Sequence, residues 1–161
     1  MNAKVAELLN AQVNKEFYSA YLYLGIAKYF KKQNLNGFAA WYKVQAEEEK
    51  EHAMKFYDYI LDNDGDVTLK PISEVSLELS DVMAAVKAAD EHEHYITAEI
   101  NKIYDAAVEA KDYRTQLFLN YFITEQAEEE ENSGEMIVKV EMLGKDTKGL
   151  YMLDKELGER K

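Results

Sequence analysis

Pro71 is the only proline in a chain of 161 residues, and only seven glycines accompany it. These two residues are the commonest helix breakers, so a chain this poor in both is committed to long helices. Turn-forming clusters divide it into four long proline-free segments, at about 3–32, 36–63, 79–109 and 112–143, with a short fifth at about 146–157. "KQNLNG" joins the first two and "AKDY" the third and fourth. Links this short force each pair into an antiparallel hairpin. "NDGDVTLKPISEVS", which holds Gly65 and Pro71, is a long crossover that sets the second and third segments parallel. The expected fold is all-α: one domain over 1–161, a left-handed four-helix bundle with one long crossover and a short C-terminal helix.

Alternating steps of four and three residues trace one seam along each segment. On the first it runs Val5, Leu9, Gln12, Glu16, Ser19, Tyr23, Ile26, Phe30; on the second Phe38, Tyr42, Gln45, Glu49, His52, Phe56, Tyr59. On the third it runs Val82, Val86, Ala89, Glu93, Ile96, Ile100, Ile103, and on the fourth Leu119, Phe122, Gln126, Glu129, Ser133, Met136, Val140. Each seam is apolar at both ends and polar in the middle. The polar positions lie about 15 to 19 residues from the hairpin turns, roughly 25 Å at about 1.5 Å per residue. Antiparallel pairing therefore stacks Glu16, Glu49, His52, Glu93, Gln126 and Glu129 in one layer.

Charged carboxylates in an apolar core each cost several kcal/mol unless compensated, and no lysine or arginine lies on the seams at that depth. Either the carboxylates are protonated or a multivalent cation sits among them. Glu49 and His52 share a helix face at i, i+3, and Gln126 and Glu129 repeat the spacing. A set of oxygen donors with one imidazole suits iron or manganese better than magnesium, with zinc still open. His92 and His94 have no such company and are expected to face solvent.

Those residues, with "NKEFYSAYLYL", "AEEEKEHAMKFYDYI", "ITEQAEEE" and "GKDTKGLYMLDKEL", resemble the bacterial non-haem ferritins of the ferritin superfamily over the whole chain. The resemblance implies that Glu16, Glu49 and His52 hold one iron, and that Glu49 bridges to a second held by Glu93 and Glu129, with Gln126 nearby. It implies that Tyr23 stands beside the centre and that Glu48, Glu125 and Glu128 form a third iron site. It further implies a ferroxidase that oxidises Fe(II) with dioxygen or hydrogen peroxide, in a homo-oligomeric, hollow 24-subunit shell that stores ferric mineral. Lys50 stands where bacterioferritins carry their haem-ligating methionine, so no haem is expected.

Thirty-one acids against nineteen bases give a net charge of −12, which disfavours nucleic acid or an anionic membrane as partner. There is no cysteine, which excludes disulfides, iron–sulfur clusters and thiol catalysis. "MNAKVAELLN" lacks an apolar signal core, and a cytoplasmic location is the expectation. A di-iron oxygenase or peroxidase acting on an organic substrate, and a helical scaffold with a structural polar seam, remain as alternatives.

Overall fold

The computed structural model describes residues 1–161 and contains five helices and no strand: α1 (Ala3–Lys32), α2 (Asn36–Asp62), α3 (Val82–Glu109), α4 (Tyr113–Leu143) and α5 (Thr147–Leu157). The helix ends lie within three residues of those read from the sequence, and side-chain caps explain most of the differences. Asn2 accepts from the backbone N–H groups of Lys4 and Val5 at the start of α1. Asp81 accepts from Ala84 N, so α3 starts at Val82 rather than at 79. Asp112 and Asp146 do the same for Thr115 N and Gly149 N at the starts of α4 and α5. Asn34 and Lys111 take left-handed backbone angles, φ 61° and 54°, in the two tight hairpin links. Asp64 does so at φ 57° beyond the end of α2, so the left-handed residue there is Asp64 and not Gly65.

Only α2 lacks a cap from its own N-terminal flank, because Leu35 has no side-chain acceptor. Its orphan N–H at Phe38 donates instead to Asp154 Oδ1 of α5 at 2.9 Å. The approach is close enough that a Cβ on Gly37 would fall 1.6 Å from the Asp154 carbonyl oxygen. Glycine at 37 is therefore what lets α5 dock across the start of α2.

The crossover, residues 63–81, is held as a strap along the outside of α1. Asn10 donates to Asp66 O and accepts from Thr68 N, and Asn14 donates to Lys70 O and Pro71 O. Further along, Val75, Leu77 and Leu79 pack on the core near Gly25. The strap thus carries the chain the length of α1, and α3 begins parallel to α2, as the sequence required.

Two apolar clusters fill the bundle. One gathers Tyr23, Ile26, Phe30, Phe38, Tyr42, Val86 and Met136. The other gathers Leu9, Phe56, Ile60, Ile96, Ile100, Leu119 and Phe122. Between them lie Gln12, Glu16, Ser19, Gln45, Glu49, His52, Glu93, Gln126 and Glu129, all buried. No helix is long and apolar enough to cross a membrane.

Gly37→Ala tests the docking of α5. The added methyl has no room against backbone, so α5 must shift away from α2. The variant should melt several degrees lower and be cleaved faster in the α4–α5 link under limited proteolysis. The same melting temperature and cleavage rate as the parent would show that α5 is not locked there.

Candidate metal centre

Each helix of the bundle delivers side chains to the polar layer from the middle of its seam. Glu16 comes from α1, Glu49 and His52 from α2, Glu93 from α3, and Gln126 and Glu129 from α4. Two ligand groups result. Donor atoms of Glu16, Glu49 and His52 lie within 4.8 Å of one another, as do those of Glu49, Glu93 and Glu129. Glu49 belongs to both, so its carboxylate stands where it can bridge two metal ions.

Neutral donors hold the carboxylates in place. Gln12 Nε2 donates to Glu16 Oε1 at 2.8 Å. Gln45 Nε2 donates to Glu129 Oε2 at 2.7 Å and to Glu49 Oε1 at 3.3 Å. Gln126 Nε2 lies 3.1 Å from Glu93 Oε2, and Thr97 Oγ1 is within reach of the same nitrogen. The Tyr23 hydroxyl donates to Glu93 Oε1. Its ring is stacked on Tyr42 with centroids 5.9 Å apart. Glu16 Oε2 alone is buried with no partner at all. A buried orphan carboxylate oxygen is costly, and a metal ion in the first group would satisfy it.

Burial first, and then mutual repulsion, raise the proton affinity of the cluster. Burial and the neighbouring Glu49 push Glu16 well above the usual carboxylate range. Burial and Glu93 do the same to Glu49. Burial, with a smaller contribution from Glu16, lifts Glu93 to about 7, despite hydrogen bonds from Tyr23 and Gln126 that work the other way. Burial and Glu93 lift Glu129 to about 8. No lysine or arginine forms an ion pair with any of these four carboxylates. The layer is thus built for positive charge that the chain does not itself supply.

His52 Nδ1 lies 3.4 Å from Glu49 Oε2, and Nε2 lies 3.6 Å from Glu125 Oε1. The ring can offer Nδ1 to a metal while Glu125 steadies the other nitrogen, a common arrangement for metal-bound imidazoles. Of the three further acids singled out in the sequence, Glu125 is half-buried beside His52 and Glu128 is exposed. Glu48 is paired bidentately with Arg160, both Oε atoms at 2.9 Å from Nη2.

The expectation for His92 is overturned. Its ring packs against Tyr18, Tyr23 and Tyr95, and Nε2 lies 2.6 Å from the buried Ser19 Oγ. Burial lowers its pKa to about 4. Position 92 precedes Glu93 on the turn facing α1, where Ser19 leaves room for a ring. His94 is exposed as expected, beside Asp90 and Glu130. Gln12 and Gln45 were visible on the seams, but their role as donors to Glu16, Glu49 and Glu129 was not. The contribution of Arg160 gave no sequence signal, because it lies outside every periodic segment.

The family model for the ferritin-like domain matches residues 6–143. A bacterial non-heme ferritin of Staphylococcus aureus is 33% identical over 160 residues, covering 99% of this chain and 96% of its own. This chain belongs to the ferritin family. Among solved structures, an open-pore ferritin from the archaeon Archaeoglobus fulgidus superposes with a TM-score of 0.98 at 39% identity, covering 100% of this chain and 99% of that one. A form of the Archaeoglobus fulgidus ferritin engineered to be closed gives 0.97 at 39% identity, covering 100% of this chain and 98% of that one. The superposition covers the whole chain, α5 included.

The raised carboxylates set the pH dependence of the metal-free ferritin. They hold protons in the folded state that the unfolded chain releases near pH 4.5, the ordinary carboxylate value. The stability this contributes is fully present below about 4.5 and is lost as pH rises through about 7 for Glu93 and about 8 for Glu129. Metal-free protein should therefore melt lower at pH 8 than at pH 5, and Glu129→Gln should flatten that slope in calorimetry. His92, whose lowered pKa makes stability rise toward pH 6.5, contributes the opposite slope, so the deciding result is the variant: a Glu129→Gln slope equal to the parent's would contradict a buried, protonated Glu129.

Proposed function

We propose that this ferritin stores iron and is a ferroxidase, taking Fe(II) as substrate at the two ligand groups that share Glu49. The observation that carries the reading is the sharing itself: two buried, carboxylate-rich donor groups, joined by one carboxylate, with no ion-pairing lysine or arginine. Glu16, Glu49 and His52 would hold one ferrous ion, and Glu49, Glu93 and Glu129 the other. Gln126 acts through its hydrogen bond to Glu93. Protonated in the metal-free state, the carboxylates release protons as iron enters, and their charge then favours the ferric product over the ferrous substrate. Tyr23 holds the Glu93 carboxylate from the other side and stands within reach as a one-electron donor.

Dioxygen or hydrogen peroxide is the oxidant in this reading. A cavity of about 20 Å³ adjoins the layer, lined by Tyr23, Tyr42, Gln45, Glu93, Glu129 and Met136. It has room for about one water-sized molecule, against the ~300 Å³ or more of a pocket for an organic substrate. That observation favours iron oxidation over the oxygenase alternative. Ferric iron then passes to the interior of a homo-oligomeric, cytoplasmic shell, for which 24 subunits is the number proposed. Tyr21, Leu24, Leu117 and Tyr151 are large exposed apolar side chains available to subunit contacts. Trp41 and Phe118 are half-buried, with the Arg160 guanidinium over one ring and Tyr59 stacked on the other.

Replacing Glu49 and His52 together by alanine should abolish rapid Fe(II) oxidation while leaving the native mass of the assembly unchanged. Fast oxidation in the assembled double variant would refute the site. Buried acids removed in this way can even raise metal-free stability.

We also propose that Glu48, Glu125 and Glu128 form a third iron site beside the first two. An iron pair supplies dioxygen with two electrons, which leaves it as peroxide; a third iron raises the iron consumed per oxygen. The triple alanine variant should still oxidise the first pair quickly but with a lower iron-to-oxygen ratio and more peroxide released. An unchanged ratio at the oxygen electrode would remove the third site and leave the pair standing.

A further inference from the structure

Arg160 lies three residues beyond the end of α5, and its guanidinium reaches back into the bundle. Nη1 donates to the Trp41 backbone oxygen at 3.2 Å and to Gln45 Oε1 at 3.1 Å. Nη2 donates to both oxygens of Glu48. The guanidinium also lies over the Trp41 ring, 4.2 Å from its centroid. One planar fork therefore ties the tail beyond α5 to three consecutive positions on one face of α2.

The contact with Gln45 reaches further than the others. Gln45 is buried one helical turn before Glu49, and its amide stands between Arg160 and the carboxylates of Glu49 and Glu129. A guanidinium can only donate, so the side of the amide facing it must be the oxygen. With the oxygen fixed there, the NH2 group must face the two carboxylates. Without Arg160 no other hydrogen bond holds that oxygen, and the amide is free to turn its NH2 group away from the carboxylates. Such a turn would take a donor from Glu49, the residue common to both ligand groups.

We propose that Arg160 is a positioning residue for the metal centre, acting through the Gln45 amide to orient Glu49 and Glu129 for their ligand. The inference rests on the reading of those carboxylates as metal ligands. It makes α5 and its tail part of the iron site: the segment that caps α2 through Asp154 also sets the donors around the bridging carboxylate. Arg160 further occupies Glu48 as an internal cation, so an ion binding at Glu48 has to displace it and thereby loosens Gln45.

The sign of the effect separates this role from a simple charge effect. Removing a nearby positive charge should by itself tighten cation binding, whereas losing the orientation of hydrogen-bonded carboxylates weakens it, typically ~10–100-fold. The test uses Co(II), a redox-inert probe under these conditions, titrated into the metal-free, assembled protein and followed by calorimetry and by its visible ligand-field absorption. Arg160→Ala should weaken Co(II) binding by about 10-fold or more and alter the absorption bands. Arg160→Lys, which keeps the charge but not the fork, should behave alike. Gln45→Leu should produce a similar loss, and adding Arg160→Ala to it should produce little more. Unchanged or tighter binding in Arg160→Ala overturns the proposal, and so does a full additional loss in the Gln45→Leu background. Parent protein whose Co(II) binding is indifferent to Glu49→Ala would refute the metal centre itself, a failure distinct from that of Arg160.

Discussion

Burial of four carboxylates in a layer between two apolar clusters is the constraint on which the rest of this structure depends. Every other choice in the bundle accommodates it. Four helices are needed to surround the layer, and each must be long enough to seal it from both ends with apolar side chains. Glutamines stand where arginines would neutralise the acids, at Gln12, Gln45 and Gln126. A glutamine amide satisfies a carboxylate oxygen without supplying charge, so the electrostatic deficit is left for a metal ion to fill. Metal-free, the same layer keeps its protons, and the fold tolerates it because burial raises the acids rather than leaving them ionised.

The outer elements serve the layer indirectly. The strap over α1 permits α2 and α3 to run parallel, which brings Glu49 and Glu93 to one depth. Asn10 and Asn14 hold the first part of that strap by its backbone, and Val75, Leu77 and Leu79 pack the rest of it on the core. At the other end, α5 replaces the missing cap of α2 and sends Arg160 to the turn that precedes Glu49. The packing of α5 and the hydrogen bonds around Glu49 thus meet on one face of α2.

Much of this was legible in the sequence because helical periodicity places side chains by arithmetic. One proline and two short links determined the order and direction of the helices, and the seams placed Glu16, Glu49, His52, Glu93, Gln126 and Glu129 at one depth. The relation of the chain to the ferritins followed from the same residues. What escaped were contacts set by tertiary packing rather than by period. His92 sits one residue from Glu93 and is tucked against Ser19 and three tyrosines, because the neighbouring helix leaves a gap there; its own segment gives no sign of it. Arg160 follows the last helix in a short irregular stretch, where spacing carries no information about what a long side chain can reach.

The central claim is that the layer binds two metal ions joined by Glu49. Anomalous scattering at the iron absorption edge, from crystals of the assembled protein soaked anaerobically in Fe(II), tests it most directly. The account predicts two peaks inside each bundle, one among Glu16, Glu49 and His52 and the other among Glu49, Glu93 and Glu129, with Glu49 touching both. Iron confined to exposed acids such as Glu128, with no peak in the buried layer, would contradict it.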